Sequence, residues 1–272
     1  MLPRKNATNE KILKERGVKF TFNTEIVEVG NRQSSVGHVR DKNGKEYFAD
    51  VFICNSDAAA FRGNVLKREK FNTERLDKMK WTFAPFCVYL GVKGKCEKLH
   101  HHNYFLGKNF KEYTTNIFES SEIPDKPYYY VNVRSRSNAN SAPEGCESIF
   151  ILCPVPDLRY KKDWDNASQF ADDLITDLGS RINFDLHSNT LTKTIYTPFD
   201  WQNNFNLWRG SGLGLQHGLN QVGYFRPKNK DEEFDNFYYV GASTTPGTGI
   251  PLTIISSKLV MERILHDFPN IV

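Results

Sequence analysis

The residues best suited to chemistry lie in one glycine-rich segment near the carboxyl end, residues 241–251, which reads GASTTPGTGIP. Gly247 and Gly249 lack side chains, so a flat ligand can approach the backbone closely at these positions. Backbone N–H groups exposed in such a segment bind anions, above all phosphates. The segment therefore predicts a site for a phosphate-bearing ligand, although an ordinary turn-rich connection would show the same pattern.

A strand and a helix must hold this segment in place. Residues 237–240 (FYYV) are aromatic or β-branched and predict a buried strand before it. From Leu252 to about Leu265 the apolar spacing predicts a helix, with Pro251 in its first turn. The apolar stripe predicted for this helix consists of Leu252, Ile255, Leu259 and Ile264. This order of elements aims free N–H groups and the positive end of the helix dipole at one point.

Other chemically capable residues give weaker signals. His100, His101 and His102 are adjacent and have no further ligand at standard spacing, so the sequence predicts an exposed polar loop and no metal site. His217 falls in a predicted helix and is expected either to line a ligand site or to be partly buried. Residues 210–214 (GSGLG) imitate a dinucleotide fingerprint, but no buried strand precedes them. No Ser-His-Asp, Cys-His or paired-carboxylate pattern is present.

Composition places the chain among globular proteins. It has 272 residues, of which 39% are hydrophobic and 25% charged, and a net charge of +4. Because the basic residues are scattered, nucleic acid is not a predicted partner. The five cysteines form no Cys-x-x-Cys pair, which indicates reduced thiols in an intracellular protein. No apolar run is long enough to span a membrane and residues 1–15 do not resemble a signal peptide, so any membrane contact is expected to be peripheral.

The remaining pattern predicts a series of elements along the chain. Residues 9–16 predict a helix closed by Gly17, and residues 18–22 alternate like a strand. Residues 36–40 and 46–51 predict a hairpin around Asn43-Gly44, and residues 51–54 a buried strand. A helical stretch is predicted over 58–80 and an amphipathic helix over 165–182. The strands predicted at 86–92, 128–133 and 148–155 have no long helices between them, which favours an antiparallel sheet.

The glycine-rich segment closely resembles the C-terminal flavin motif of the phytoene desaturase family, the FAD-dependent carotenoid desaturases. Residues 224–231 (YFRPKNKD) resemble the Phe-Arg-Pro segment of that family, at the usual spacing. Thr245 stands where the family commonly has His, so the role of that His in positioning the flavin is not carried over. The resemblance covers nearly all of this chain but only the C-terminal half of a family member. The chain is therefore expected to be a truncated product, a partial gene or one piece of a larger protein.

The resemblance implies FAD as cofactor and assigns residues to it. The implied FAD contacts are Ile26, Gly241, Ala242, Ser243, Thr244, Gly247, Thr248, Gly249, Ile250 and Pro251. The implied substrate-side residues are His217, Phe225 and Arg226. No catalytic residue is assigned, and Arg226 is expected to position other groups because arginine keeps its proton.

The resemblance also implies a mixed α/β (α+β) fold. It consists of an incomplete FAD-binding domain of the glutathione-reductase-like, amine-oxidase type, with an inserted, mainly antiparallel substrate-domain sheet plus helices. The implied domains are residues 1–58 and 231–272, which belong to the FAD-binding domain, and residues 59–230, which cover an apolar substrate channel.

The implied activity is desaturation of a phytoene-type carotenoid by hydride transfer to flavin. The implied partners are an apolar carotenoid-like substrate, a peripheral membrane surface and the N-terminal half of the family, in cis or in trans. Two alternatives stay open. One is a non-catalytic remnant or an apolar-ligand-binding protein that is unable to hold FAD, and the other is another FAD oxidoreductase of the amine-oxidase or retinol-saturase type.

Overall fold

Strands in three sheets and eight α-helices make up the described part of the chain, residues 10–271 of a computed structural model. The strands are β1 (Ile26–Arg32), β2 (Ser35–Asp41), β3 (Glu46–Tyr47), β4 (Phe52–Cys54), β5 (Ala84–Lys93), β6 (His102–Phe105), β7 (Tyr129–Val133), β8 (Cys146–Val155), β9 (Thr190–Tyr196) and β10 (Phe237–Tyr239). The helices are α1 (10–15), α2 (Ala58–Asn64), α3 (Thr73–Lys78), α4 (Phe110–Glu119), α5 (Ala167–Ile182), α6 (Leu186–Asn189), α7 (Pro198–Phe205) and α8 (Ile250–Asp267). The predicted start of the first helix at Asn9 lies outside the described residues.

The largest sheet confirms the antiparallel block predicted for the middle of the chain. Its strand order is β6-β7-β8-β5-β9, and every neighbouring pair is antiparallel. Along β8 buried residues alternate with half-buried ones, as expected for a sheet that packs one face against a core. Helix α5 covers that face with Leu174, Ile175 and Leu178, which are almost fully buried.

A three-stranded antiparallel sheet, β1-β2-β3, packs on a two-stranded parallel pair, β4 and β10. The predicted hairpin turn is confirmed, because Asp41 Oδ1 accepts hydrogen bonds from the Asn43 and Lys45 amides. Its second strand is shorter than predicted and spans only Glu46–Tyr47. Val36, Phe237 and Tyr239 share the core between the two sheets.

Two predicted elements are wrong in part or in whole. Residues 18–22 form no strand, and Val18 and Phe22 are exposed, since no neighbouring strand pairs with this segment. The helix predicted over residues 58–80 is broken into α2, a 3₁₀ turn at Glu69–Phe71 and α3. Asn72 starts α3 anew, because its side chain accepts a hydrogen bond from the Arg75 amide.

Helix α8 confirms the predicted helix and the burial of Ile264, but the rest of its buried face differs from the predicted stripe. The buried side chains are Ser256, Val260 and Ile264. Val260 and Ile264 pack with Tyr238 of β10, and Ser256 Oγ accepts a hydrogen bond from the Gly241 amide. Ile255 and Leu259, predicted to lie in the apolar stripe, are exposed. The prediction failed because α8 is apolar on more than one side, so hydrophobicity alone does not identify the face toward β10.

Residues 10–271 contain neither a membrane-spanning helix nor a disulfide. Within residues 10–271 no helix combines the length and hydropathy needed to cross a bilayer. All five cysteines are free; Cys54, Cys87, Cys96 and Cys153 are buried and Cys146 is half-buried. Burial raises the pKa of Cys54 to about 11 and the pKa of Cys153 to about 12.

Candidate functional site

The carboxyl ends of the parallel strands β4 and β10 meet, and the glycine-rich segment begins at this point. Ser243 Oγ donates a hydrogen bond of 2.8 Å to Asp57 Oδ2, joining segments 186 residues apart. Gly241 lies against Asn55, and a Cβ at position 241 would stand 2.7 Å from the Asn55 Oδ1 atom. In open α/β sheets this edge, beyond the carboxyl ends of the strands, is where ligands bind.

Asp57 anchors the β4 side of this junction. It is buried, and its Oδ1 accepts hydrogen bonds from the Ala59 and Ala60 amides, which caps helix α2. Burial raises the pKa of Asp57, and the hydrogen bonds from Ala60 and Ser243 oppose that rise. The carboxyl therefore ties a helix start to the glycine-rich segment.

Arg226 holds the β10 side of the junction. Arg226 is 2% exposed, and its guanidinium donates to the carbonyls of Ala242, at 2.6 Å, and Thr244, at 2.9 Å. Further bonds reach the carbonyl of Leu215 and those of two neighbouring glutamines. Burial lowers the pKa of Arg226, and the charge of Asp57 opposes this. Because its donors are directed at backbone carbonyls, Arg226 fixes the shape of the segment.

His217 lies directly against the glycine loop. Its Nε2 accepts a hydrogen bond of 3.2 Å from the Thr248 amide, and a Cβ at Gly247 would collide with its ring. Burial, followed by the charge of Arg226, lowers the pKa of His217 and favours the neutral ring that can accept this bond. The predicted helix around His217 is wrong, since residues 215–218 form no helix.

The N-terminus of α8 is open in front of the loop. Gly249 has a φ of 123° and precedes the helix without any side-chain cap. A Cβ at Gly249 would meet no atom within 4 Å, and Ile250 is 76% exposed. The first amides of an 18-residue helix thus face accessible space, which is the geometry that suits a negatively charged group.

A large cleft lies on the β4 side of the junction. Its volume is about 1340 Å³, and its walls include Ile26, Ile53, Asn55 and Asp57. Residues 241–251 are not part of its wall, but two residues of the wall contact them: Asn55 lies against Gly241, and Asp57 binds Ser243. The structure therefore brings Ile26 and the glycine loop to two neighbouring regions rather than to one pocket.

Some contributors to the site were missed at the sequence level. Gly214, within the stretch that imitates a dinucleotide fingerprint, packs against Ser243, where an added Cβ would stand 2.6 Å from Oγ. That stretch has no strand–turn–helix context, which confirms that it is no fingerprint of its own. Trp208 lines the cleft and packs against Trp81. The glycine at 214 was the available signal, since glycine often marks a close approach of two backbones.

The histidine run and Phe225 lie apart from these contacts. His102 Nδ1 is 2.5 Å from the Tyr130 hydroxyl on the neighbouring strand. Within the described chain no group of three or more His, Cys, Asp or Glu side chains is arranged to hold a metal ion. Phe225, assigned to the substrate side, is 67% exposed.

Comparison with known proteins relates this chain to phytoene desaturases. The chain is 34% identical over 263 residues to a zeta-carotene-forming phytoene desaturase of Myxococcus xanthus, which covers 94% of this chain and 50% of that protein. It is 32% identical over 277 residues to a phytoene desaturase of Neurospora crassa, over 96% of this chain and 46% of that protein. The chain is homologous to the phytoene desaturases. It spans about half the length of these relatives, and a C-terminal portion of the phytoene desaturase family fits this coverage.

The fold comparison agrees with a mixed α/β architecture. The crystal structure of an oxidoreductase from Methanosarcina mazei matches with a TM-score of 0.54 and 13% identity, over 93% of this chain and 52% of that one. At this identity the match shows a shared fold only. No family model matches the phytoene-desaturase-like chain.

Proposed function

We propose that the chain forms the C-terminal part of an FAD-dependent oxidoreductase that desaturates a long apolar polyene of the phytoene type. The observation that carries the proposal is the glycine loop at the joined carboxyl ends of β4 and β10, followed by the uncapped start of α8. The names of the relatives, phytoene desaturases, support the substrate class.

The residues at this junction fit a flavin dinucleotide. Gly249 leaves open space before the first amides of α8, where a phosphate or a flavin edge could approach the backbone. Ile26, in the wall of the cleft, would contact the adenine end. When bound, FAD would supply the acceptor for a hydride removed from the polyene.

The side chains around the glycine loop hold its backbone in position and pack against it. Arg226 donates hydrogen bonds to the carbonyls of Ala242 and Thr244 and so holds the backbone of the loop in place. His217 packs as a neutral ring against Gly247 and occupies the Thr248 amide. These residues organise the binding surface, and no general base is assigned among the described residues.

We further propose that the protein lies inside the cell and contacts a membrane surface peripherally. The reason is that an apolar substrate dissolves in the membrane. Leu219, Tyr224 and Phe225 support this, since they are 91%, 83% and 67% exposed within one short segment. Co-sedimentation with lipid vesicles measures this contact, and an unchanged supernatant fraction would contradict it.

The proposal is tested by a chimera that joins this chain to the portion of the Myxococcus xanthus relative that it does not cover. We expect the purified chimera to show the visible absorption of a bound flavin and to convert phytoene. Gly249→Val should abolish flavin binding, because the side chain fills the space before α8.

Gly44→Val is the matched control, since Gly44 also has a positive φ and open surroundings but lies in the hairpin turn. The control should retain flavin. A chimera that folds, as judged by a cooperative unfolding transition, yet binds no added FAD would contradict the proposed function.

A further inference from the structure

Asn229 lies where the strand, the loop and the helix of the candidate site meet. It is 8% exposed, and its Nδ2 donates hydrogen bonds to the carbonyl of Tyr239 in β10, at 3.1 Å, and to that of Thr245 in the glycine loop, at 2.9 Å. The same nitrogen lies 3.3 Å from Ser256 Oγ in α8. Because carbonyls only accept hydrogen bonds, the nitrogen of the side-chain amide must face them. One buried amide group therefore contacts all three elements.

The chain around Asn229 delivers this side chain to the carboxyl end of β10. Residues 229–231 run antiparallel to that strand. The Asp231 amide donates to the Phe237 carbonyl, and the residues in between form an antiparallel bridge. The Tyr239 amide then donates to the Asn229 carbonyl, at 2.6 Å. Asn229 is thus bound to Tyr239 through both its main chain and its side chain, so its position relative to β10 is fixed at two points.

Ser256 continues this connection into α8. It is fully buried, and its Oγ also accepts a hydrogen bond of 3.2 Å from the amide of Gly241, where the chain leaves β10. Farther along the helix, Val260 and Ile264 pack on Tyr238. Apolar contacts have no fixed direction, whereas hydrogen bonds do. The apolar side chains therefore hold α8 on β10, and the bonds at Ser256 set how far the helix lies along the strand.

We propose that Asn229 is a positioning residue of the flavin site, which sets the place of the first amides of α8 relative to the glycine loop. The inference rests on the proposed function, and Asn229 acts through the backbone rather than by contact with FAD. Ser256 lies six residues after Ile250, about 9 Å along the helix axis, so a displacement at Ser256 moves the start of the helix with it. Without the Asn229 bonds, the loop and the helix would no longer present one fixed surface to the dinucleotide.

Asn236 offers a matched comparison at the other end of β10. It is 5% exposed, and its Nδ2 donates to the carbonyls of Val36, at 3.0 Å, and Asp50, at 2.9 Å. Both asparagines therefore donate hydrogen bonds to two carbonyls from a buried side chain. Asn236 precedes β10, whereas Asn229 binds the residue that ends it. Equal chemical changes at the two positions separate a loss of stability from a loss of positioning.

The test introduces aspartate at each position of the chimera with the Myxococcus xanthus relative. Asn229→Asp has nearly the same shape, but an ionised carboxylate cannot donate a hydrogen bond and a protonated one donates a single bond. We expect titration calorimetry with FAD to show at least about tenfold weaker binding. Asn236→Asp loses the same kind of bonds and should lower the unfolding midpoint, while its affinity for FAD stays within about twofold of the parent.

Ser256→Ala tests the same connection by a milder change. Alanine suits a helix interior, so the variant should fold, but the buried Gly241 amide loses its acceptor. FAD binding should weaken, and the double variant with Asn229→Asp should lose less than the two single changes together. Ser257→Ala is the control, since Ser257 is exposed and its Oγ donates to the Ile254 carbonyl of the same helix. It should bind FAD like the parent chimera.

Amide hydrogen exchange in this chain without FAD completes the test. The Gly241 amide should exchange faster in Asn229→Asp and in Ser256→Ala than in Asn236→Asp. An unchanged FAD affinity in Asn229→Asp, or an equal loss in Asn236→Asp, would overturn the proposal. If Asn229→Asp does not fold, an unchanged affinity in Ser256→Ala overturns it instead. A parent chimera that binds no FAD would reject the proposed function, whereas faster Gly241 exchange would still assign Asn229 to holding the loop.

Discussion

At the scale of single residues, the glycine loop owes its shape to side chains from elsewhere in the chain. Arg226 binds its carbonyls, Asp57 binds Ser243, and His217 packs against Gly247. Burial disfavours the charged forms of Arg226, Asp57 and His217. The loop is therefore sensitive to changes in charge at residues that are not part of the motif.

The first prediction concerns pH and His217. Its pKa in the folded chain lies below 6.5, the ordinary value, so the unfolded chain binds the proton first as the pH falls. The stability contributed by His217 is fully present above that value and is lost as the pH falls through the folded pKa. We expect the Thr248 amide resonance to shift in this range, because the protonated ring cannot accept its hydrogen bond.

An NMR titration of the imidazole and of the Thr248 amide measures this. His217→Gln keeps an acceptor without titrating, so the amide shift should disappear in that variant. A His217 pKa at or above the ordinary value would contradict the assignment.

At the scale of elements, the sequence predicted most of the strands and the two longest helices, α5 and α8, but not the contacts between distant elements. The aromatic run ending at Tyr239 and the apolar run ending at Cys54 were recognisable as strands, since buried strands have this composition. Residues 18–22 show the limit, because alternation indicates which side chains could pack but not whether a partner strand exists. The contact between Asp57 and Ser243 was likewise beyond prediction, since nothing local links positions 186 residues apart.

The second prediction concerns Asp57, which joins α2 to the glycine loop. Asp57→Ala should lower the free energy of unfolding by about 1–2 kcal/mol, because α2 loses its cap and Ser243 its acceptor. Asp57→Asn should keep the cap. Since burial raises the pKa of Asp57, its contribution to stability falls as the pH rises above 3.8.

Urea denaturation at two pH values separates these effects. Asp57→Asn should become more favourable relative to the parent chain at neutral pH than in mild acid. Equal stability of the alanine and asparagine variants would contradict the capping role.

At the scale of the whole molecule, the buried side chains form separate cores. The buried residues in the core of the five-stranded sheet lie within residues 84–186, and Ile195 of β9 packs against them. The buried residues of the three smaller clusters lie within residues 36–81 and 208–264. The predicted substrate domain, residues 59–230, contains the large core together with parts of the others. Its boundaries stay a prediction.

The third prediction follows from this separation. Leu178→Ala removes a fully buried side chain from α5 and should cost about 2–5 kcal/mol in the large core. Hydrogen exchange should therefore accelerate in the five-stranded sheet and α5, and stay unchanged in β4, β10 and α8. Leu191→Ala, at a position 61% exposed on β9, is the control and should change little. Uniform acceleration along the chain would show a single cooperative unit instead.

The buried thiols provide a chemical record of local opening. A thiol reacts with alkylating reagents as the thiolate, and burial keeps Cys54 and Cys153 protonated and out of contact with reagent. Cys146 is the most accessible of the five. Modification of Cys54 would therefore mark fluctuations beside the glycine loop, while modification of Cys153 would mark those of the large sheet, without any engineered label.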